Sequence, residues 1–96
     1  MDTLYGAALY LNTTAGTALV KEGSGTIFGA TINSHSSGTI KLYDSAATAT
    51  ATANPTLNNT ITLAAGERYL NLGGVTFGRG LVAVIGGTAD VTLHYR

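Results

Sequence analysis

Gly80-Leu81-Val82-Ala83-Val84-Ile85-Gly86-Gly87-Thr88-Ala89-Asp90-Val91-Thr92-Leu93-His94-Tyr95-Arg96 decides the fold. It reads as a strand, a Gly-Gly turn and a second strand that runs to the final residue. In that second strand Val91, Leu93 and Tyr95 alternate with Asp90, Thr92, His94 and Arg96. Successive side chains on a strand point to opposite faces, so this period of two marks a half-buried β-strand. Chain ends commonly fray, and alternation kept up to residue 96 predicts that the segment is paired within a sheet.

The same pattern extends upstream. Strands are expected near Ala8 to Asn12 and Thr17 to Glu22. Gly25 to Asn33 is a further strand, with Thr26, Phe28, Ala30 and Ile32 on one face and Ile27, Gly29 and Thr31 on the other. Asn33-Ser34-His35-Ser36-Ser37-Gly38 reads as a turn of small polar residues. Thr39 to Asp44 follows, with Ile40 and Leu42 opposite Thr39, Lys41 and Tyr43. Thr60 to Leu63 and Arg68 to Leu72 are joined by the turn Ala64-Ala65-Gly66-Glu67, and Val75 to Phe77 is short. Ser45 to Ala53 is low in complexity, with small residues on both faces, and is read as an edge strand or a loop. Seven to nine short strands at close spacing predict one all-β domain over residues 1–96, an antiparallel β-sandwich of jelly-roll type. Its expected core is Ile32, Ile40, Leu42, Val84, Val91 and Leu93.

Composition narrows the function. The chain has 96 residues, enough for one domain. Surface scaling gives an unfolded area of roughly 14,000 Å² against about 5,100 Å² folded, so only about 64% is buried. That is a thin core. No cysteine is present to staple it, and His35 and His94 lack neighbours in sequence that would complete a structural metal site. Self-association is the remaining remedy for a small β-domain. Charged residues make up 10% of the chain and sum to zero. Lys21, Lys41, Arg68, Arg79 and Arg96 are scattered, which disfavours nucleic acid and anionic membrane surfaces as partners. Asp2 stands where a secretory signal carries basic residues, and Leu81 to Ile85 is too short to span a bilayer. A surface of Thr, Ala, Ser, Asn and Gly suits a protein that works against other protein.

Motifs of catalysis are weak. Ser34-His35-Ser36-Ser37, with Asp44 or Asp90 as a third member, invites comparison with a hydrolase. Nucleophile and base that are neighbours in a small polar turn seldom reach each other, so the motif is read as a solvated turn. Gly23 to Gly29 matches neither phosphate-loop pattern and leads into a strand. Gly73-Gly74 and Gly78-Arg79-Gly80 are read as corners or bulges. Asp2, Glu22, Asp44, Glu67 and Asp90 offer no evident glycosidase pair, and the chain has no tryptophan to build a sugar cleft. Asn12-Thr13-Thr14 and Asn58-Asn59-Thr60 are chance matches to the glycosylation pattern. The expectation is therefore a non-enzymatic protein with no cofactor and no metal. Five tyrosines matter more, because a surface tyrosine combines contact area with a hydroxyl. Tyr5, Tyr10 and Tyr69 are the candidate interface residues.

Leu19 to Asn33, Ser37 to Asp44, Gly80 to Val84 and Gly87 to Arg96, in that order, resemble a group of small tailed-phage virion proteins. Members of that group are compact β-sandwich or jelly-roll domains, among them capsid cement (head decoration) proteins. The likeness covers most of the chain from residue 17 onward and departs around Ala46 to Asn58. It implies a phage structural protein. Together with the thin core and sparse charge, it leads to the expectation of a homotrimer on the outer capsid surface of the virion. There it would bind the major capsid protein at three-fold sites and stabilise the shell. The alternative is a phage tail or fibre tip domain that binds a host receptor or glycan.

Overall fold

Two long strands organise the molecule. The computed structural model describes residues 7–13, 16–48, 56–58 and 60–96. Strand β3 (Gly25–Asp44) and strand β6 (Gly80–Tyr95) run antiparallel along almost their whole lengths, from Ile27 opposite Tyr95 to Asp44 opposite Leu81. The shorter strands are β1 (Ala7–Thr13), β2 (Gly16–Glu22), β4 (Ile61–Thr62) and β5 (Tyr69–Phe77). All pairings are antiparallel, and no α-helix occurs among the described residues.

Each long strand serves two layers. The C-terminal arm of β6 pairs with β1 on one side and the N-terminal arm of β3 on the other, and β5 flanks that arm of β3. The N-terminal arm of β6 pairs with β2 and with the C-terminal arm of β3, which β4 flanks. One layer therefore reads β1, β6, β3, β5 and the other β2, β6, β3, β4. The fold measures 34 × 32 × 19 Å. Its short dimension accommodates two sheets at their usual spacing of about 10 Å. The folded surface of 5058 Å² agrees with the size-scaling value.

The expected turns at residues 33–38 and at Gly86-Gly87 are corrected here. Neither reverses the chain. Both are bends within continuous strands, and they lie beside each other. The β3–β6 register shifts between Ser36 and Thr39, where Ser37 has φ 55° and Gly87 has φ 66°. Left-handed backbone on both strands at one point turns the ribbon from one layer to the other. A side chain on Gly87 would run into the carbonyl oxygen of Ser37.

One core fills the space between the layers. Ile27, Ala30, Ile32, Ile40 and Leu42 from β3 meet Leu81, Ala83, Ile85, Ala89, Val91 and Leu93 from β6, with Leu63 and Phe77 closing the ends. Two assignments change. A bulge between Ile27 and Gly29 inserts Phe28 as an extra residue, so Ile27 joins Ala30 and Ile32 inside while Phe28 is only half-buried. The bulge defeats a simple even–odd reading. Val84 lies on the outer face of the second layer, half-buried in a small cluster with Leu19, Tyr43 and Val82. It alternates correctly with Leu81, Ala83 and Ile85, but this arm of β6 is apolar on both faces and alternation alone could not choose.

Val75 to Phe77 and Arg68 to Leu72 merge into the single strand β5, which carries an irregularity opposite the Ile27–Gly29 bulge. Asn58 substitutes for a strand at the edge of β3. Its Oδ1 accepts the Leu42 N–H at 3.2 Å and its Nδ2 donates to the Ile40 carbonyl at 3.5 Å. Of the Ala/Thr-rich segment 45–53, Ser45 is buried and turns its hydroxyl onto the Ala47 carbonyl, while residues 49–53 lie outside the described residues.

Candidate interaction surface

The outer face of the first layer is built by register. Tyr10 of β1 is the Cα partner of Thr92, Thr92 is the partner of Thr31, and Thr31 is the partner of Tyr69. One row thus crosses all four strands and has a tyrosine position at either end. Tyr69, at 49%, is an exposed large apolar side chain. Its ring extends over Gly29, where a side chain would collide with it, and approaches His94 to 6.3 Å between ring centroids at 40°. The missing Cβ at Gly29 lets the ring lie along the sheet. A large flat side chain held against its own sheet gives up little rotational freedom on binding.

Polar side chains surround the ring. Thr31 Oγ1 and His94 Nε2 share a hydrogen bond of 2.7 Å. Asn33 donates through Nδ2 to Asp90 Oδ1 at 3.0 Å and to Thr92 Oγ1 at 3.5 Å. Cross-strand pairs of this type fix the rotamers of the row and leave a hydroxyl- and amide-rich surface, with the Asp90 carboxylate tied to Asn33, around one aromatic ring. That arrangement can make contact and hydrogen bonds with another protein, the composition of an interface with few charges.

The bend forms a second feature. His35 accepts the Gly38 N–H at Nδ1 (3.3 Å), so the proton is assigned to Nε2, which donates to the Ala64 carbonyl (2.8 Å). Leu63 N donates to the Gly38 carbonyl at 2.9 Å. In the adjoining turn Glu67 Oε1 accepts the Ala64 N–H at 2.8 Å. These bonds fasten the bend of β3 to the turn between β4 and β5. Between the two lies a cleft of about 470 Å³, lined by His35, Ser36, Ser37, Thr62, Leu63 and the turn residues Ala65 and Gly66.

The opposite end of the sandwich carries charge. Lys21, Glu22, Asp44, Arg79 and Arg96 gather where β2 leads into β3 and β5 into β6. Asp44 closes the second of these turns. Its carboxylate accepts the N–H groups of Gly78 (3.1 Å), Arg79 (2.7 Å) and Gly80 (3.3 Å). Partial desolvation opposes its ionisation. The three backbone donors and the Arg79 charge outweigh that effect and hold the carboxyl below its ordinary pKa. Lys21 Nζ donates to the Ser24 carbonyl at 2.9 Å, and Gly23 N to the Arg79 carbonyl at 2.9 Å. The last residue, Arg96, exchanges backbone hydrogen bonds with Thr26.

Of the three interface tyrosines, the structure brings the positions of Tyr10 and Tyr69 into one row, and Tyr5 lies outside the described residues. The register sets Ser34 opposite Asp90, but His35 reaches neither aspartate, so the Ser34-His35-Ser36-Ser37 group does not form a triad. Asp44 is at the far end, Asp90 is engaged by Asn33, and both His35 ring nitrogens are bound to backbone groups. No group of three or more metal-ligating side chains converges among the described residues. Sequence reasoning missed His94, Asn33 and Asp90 as members of the tyrosine face. The alternation of Asp90, Thr92 and His94 was the available signal, but their partners on β3 depend on bulges. Comparison with protein-family models, with curated proteins and with solved structures finds no match.

Proposed function

We propose that this protein is a homotrimeric cement protein that binds the outer surface of a phage capsid at three-fold sites and stabilises the assembled shell. The observation that carries the reading is the winding order. With each long strand divided at its bend, the eight segments fall in the order 1-8-3-6 in one layer and 2-7-4-5 in the other. That is the order in which two Greek keys wrap into a jelly roll, an architecture used by viral capsid domains and also by lectins. The charge-poor surface and the resemblance to small phage virion proteins, over most of the chain from residue 17 onward except around Ala46 to Asn58, support the viral side of that pair.

The mechanism is linkage. A ligand that binds only the assembled state stabilises it by mass action, with no bond made or broken. A closed three-fold oligomer matches the symmetry of its site, and three weak contacts then act as one strong attachment. The Tyr10–Thr92–Thr31–Tyr69 face is the surface we assign to contact between subunits.

Purified protein added to expanded capsids that lack it is expected to saturate three-fold sites, raise their resistance to heat and bind with modest salt dependence. Light scattering should give three times the chain mass, and Tyr69→Ala should shift that mass toward the monomer. Binding to host polysaccharide or tail components in place of capsids would favour the tip-domain alternative.

A further inference from the structure

We propose that the cleft at the bend is the capsid-docking site and receives an uncharged surface loop of the major capsid protein; this rests on the cement reading above. The first argument is shape. The cleft, of about 470 Å³, is open, with Ser36, Ser37, Thr62, Ala65 and Gly66 exposed around it; that form admits a protruding loop rather than enclosing a small ligand.

The second argument is charge. No Asp, Glu, Lys or Arg lines the cleft. Glu67, the nearest acid in the turn, is engaged by the Ala64 N–H, and His35 is held as a neutral ring with both nitrogens bound to backbone groups. Five of the chain's ten charged residues stand at the other end of the sandwich. A charged segment would lose its hydration in the cleft and find no counter-charge there. A neutral segment finds hydroxyls at Ser36, Ser37 and Thr62 and an apolar floor at Leu63. The lining has no Tyr, Trp or Phe and no carboxylate, the groups on which a sugar site would depend, so a peptide loop is the better match.

The third argument is rigidity. Ser37, in the lining, holds φ 55°, an uncommon conformation for a residue with a side chain. Non-glycine residues persist in that region where the surroundings over-determine them, and they concentrate at binding sites. Here the surroundings are the two His35 hydrogen bonds and the Leu63–Gly38 bond. The cleft is already shaped before a partner arrives, which lowers the ordering cost of binding.

Ser36→Trp and Ala65→Trp fill the cleft from exposed positions, and Ser36→Asp introduces a carboxylate with little added bulk. Each should keep the trimer mass and melting temperature of the parent while its apparent affinity for expanded capsids falls about ten-fold or more. Arg79→Ala and Glu22→Ala, at the charged end, should bind as the parent does. Undiminished binding by Ser36→Asp and by either Trp variant would overturn the proposal while leaving the cement reading intact. Lost binding in the charged-end variants alone would overturn it in favour of the opposite orientation. Failure of the parent protein to bind capsids would refute the cement reading and this site with it. Specific binding of a neutral oligosaccharide such as maltoheptaose, abolished by Ser36→Trp, would reassign the cleft to a glycan.

Discussion

The two ends of this sandwich are held by different physics. At the bend, chain direction changes through backbone conformation: Ser37 and Gly87 are left-handed beside each other, and His35 ties the strand to a neighbouring turn with a neutral ring. At the other end, the reversal between β5 and β6 is held by a carboxylate, Asp44, that gathers three backbone N–H groups. One end is uncharged and concave, and the other is charged. The first should tolerate changes of salt but not of backbone shape. The second should show the reverse.

Paired glycine substitutions give the largest contrast. Gly87 (φ 66°) and Gly23 (φ 85°) both occupy the left-handed region, but an added Cβ at Gly87 meets the Ser37 carbonyl oxygen and one at Gly23 meets nothing within 4 Å. Gly23→Ala should cost about 1–2 kcal/mol, the conformational penalty alone. Gly87→Ala should cost roughly 3 kcal/mol or more, because a backbone collision adds to the same penalty. Urea denaturation of both variants checks this, and equal losses would show that the bend can relax.

His35→Ala should have an intermediate effect. It leaves the Gly38 N–H without its acceptor next to a buried position and should destabilise by about 1–3 kcal/mol. Chemical denaturation measures the loss, and amide exchange should quicken at Gly38 and Leu63 while the Asp44 end is unchanged.

Asp44→Asn should be the smallest, below about 1 kcal/mol, since the carboxylate is partly exposed and screened by solvent. Its signature is pH dependence. The folded-state pKa of Asp44 lies below the unfolded value, so its contribution is fully present above the ordinary carboxylate pKa of about 3.9. It is lost as pH falls through the lowered folded value. Parent and Asp44→Asn stabilities should therefore converge in acid. A difference that persists unchanged to low pH would assign Asp44 a steric role.

The same contrast explains what could be read from the sequence. Alternation in Val91, Leu93 and Tyr95 and in Ile40 and Leu42 was enough to give strands, their buried face and the all-β class. Asn33 to Gly38 and Gly86-Gly87 carry the residues that turns use, so on the sequence alone the bends read as reversals. Only the pairing of segments some fifty residues apart makes them bends in continuous strands. Phe28 and Val84 were misplaced for related reasons: a bulge shifts the first, and an arm apolar on both faces hides the second. The tyrosine row was half legible. Residue type marked Tyr10 and Tyr69, but their alignment through Thr92 and Thr31 is a property of register. The cleft was invisible, because Ser36 and Ala65 become neighbours only after β4 docks on β3.

An image of an intact particle that carries this protein tests the central claim most directly. Three-dimensional reconstruction should place a trimer at three-fold positions on the outside of the shell, with the Ser36–Ala65 cleft toward the capsid and the Arg79–Asp44 end toward solvent. Density for the protein at a tail or fibre tip, with none on the head, would contradict the account.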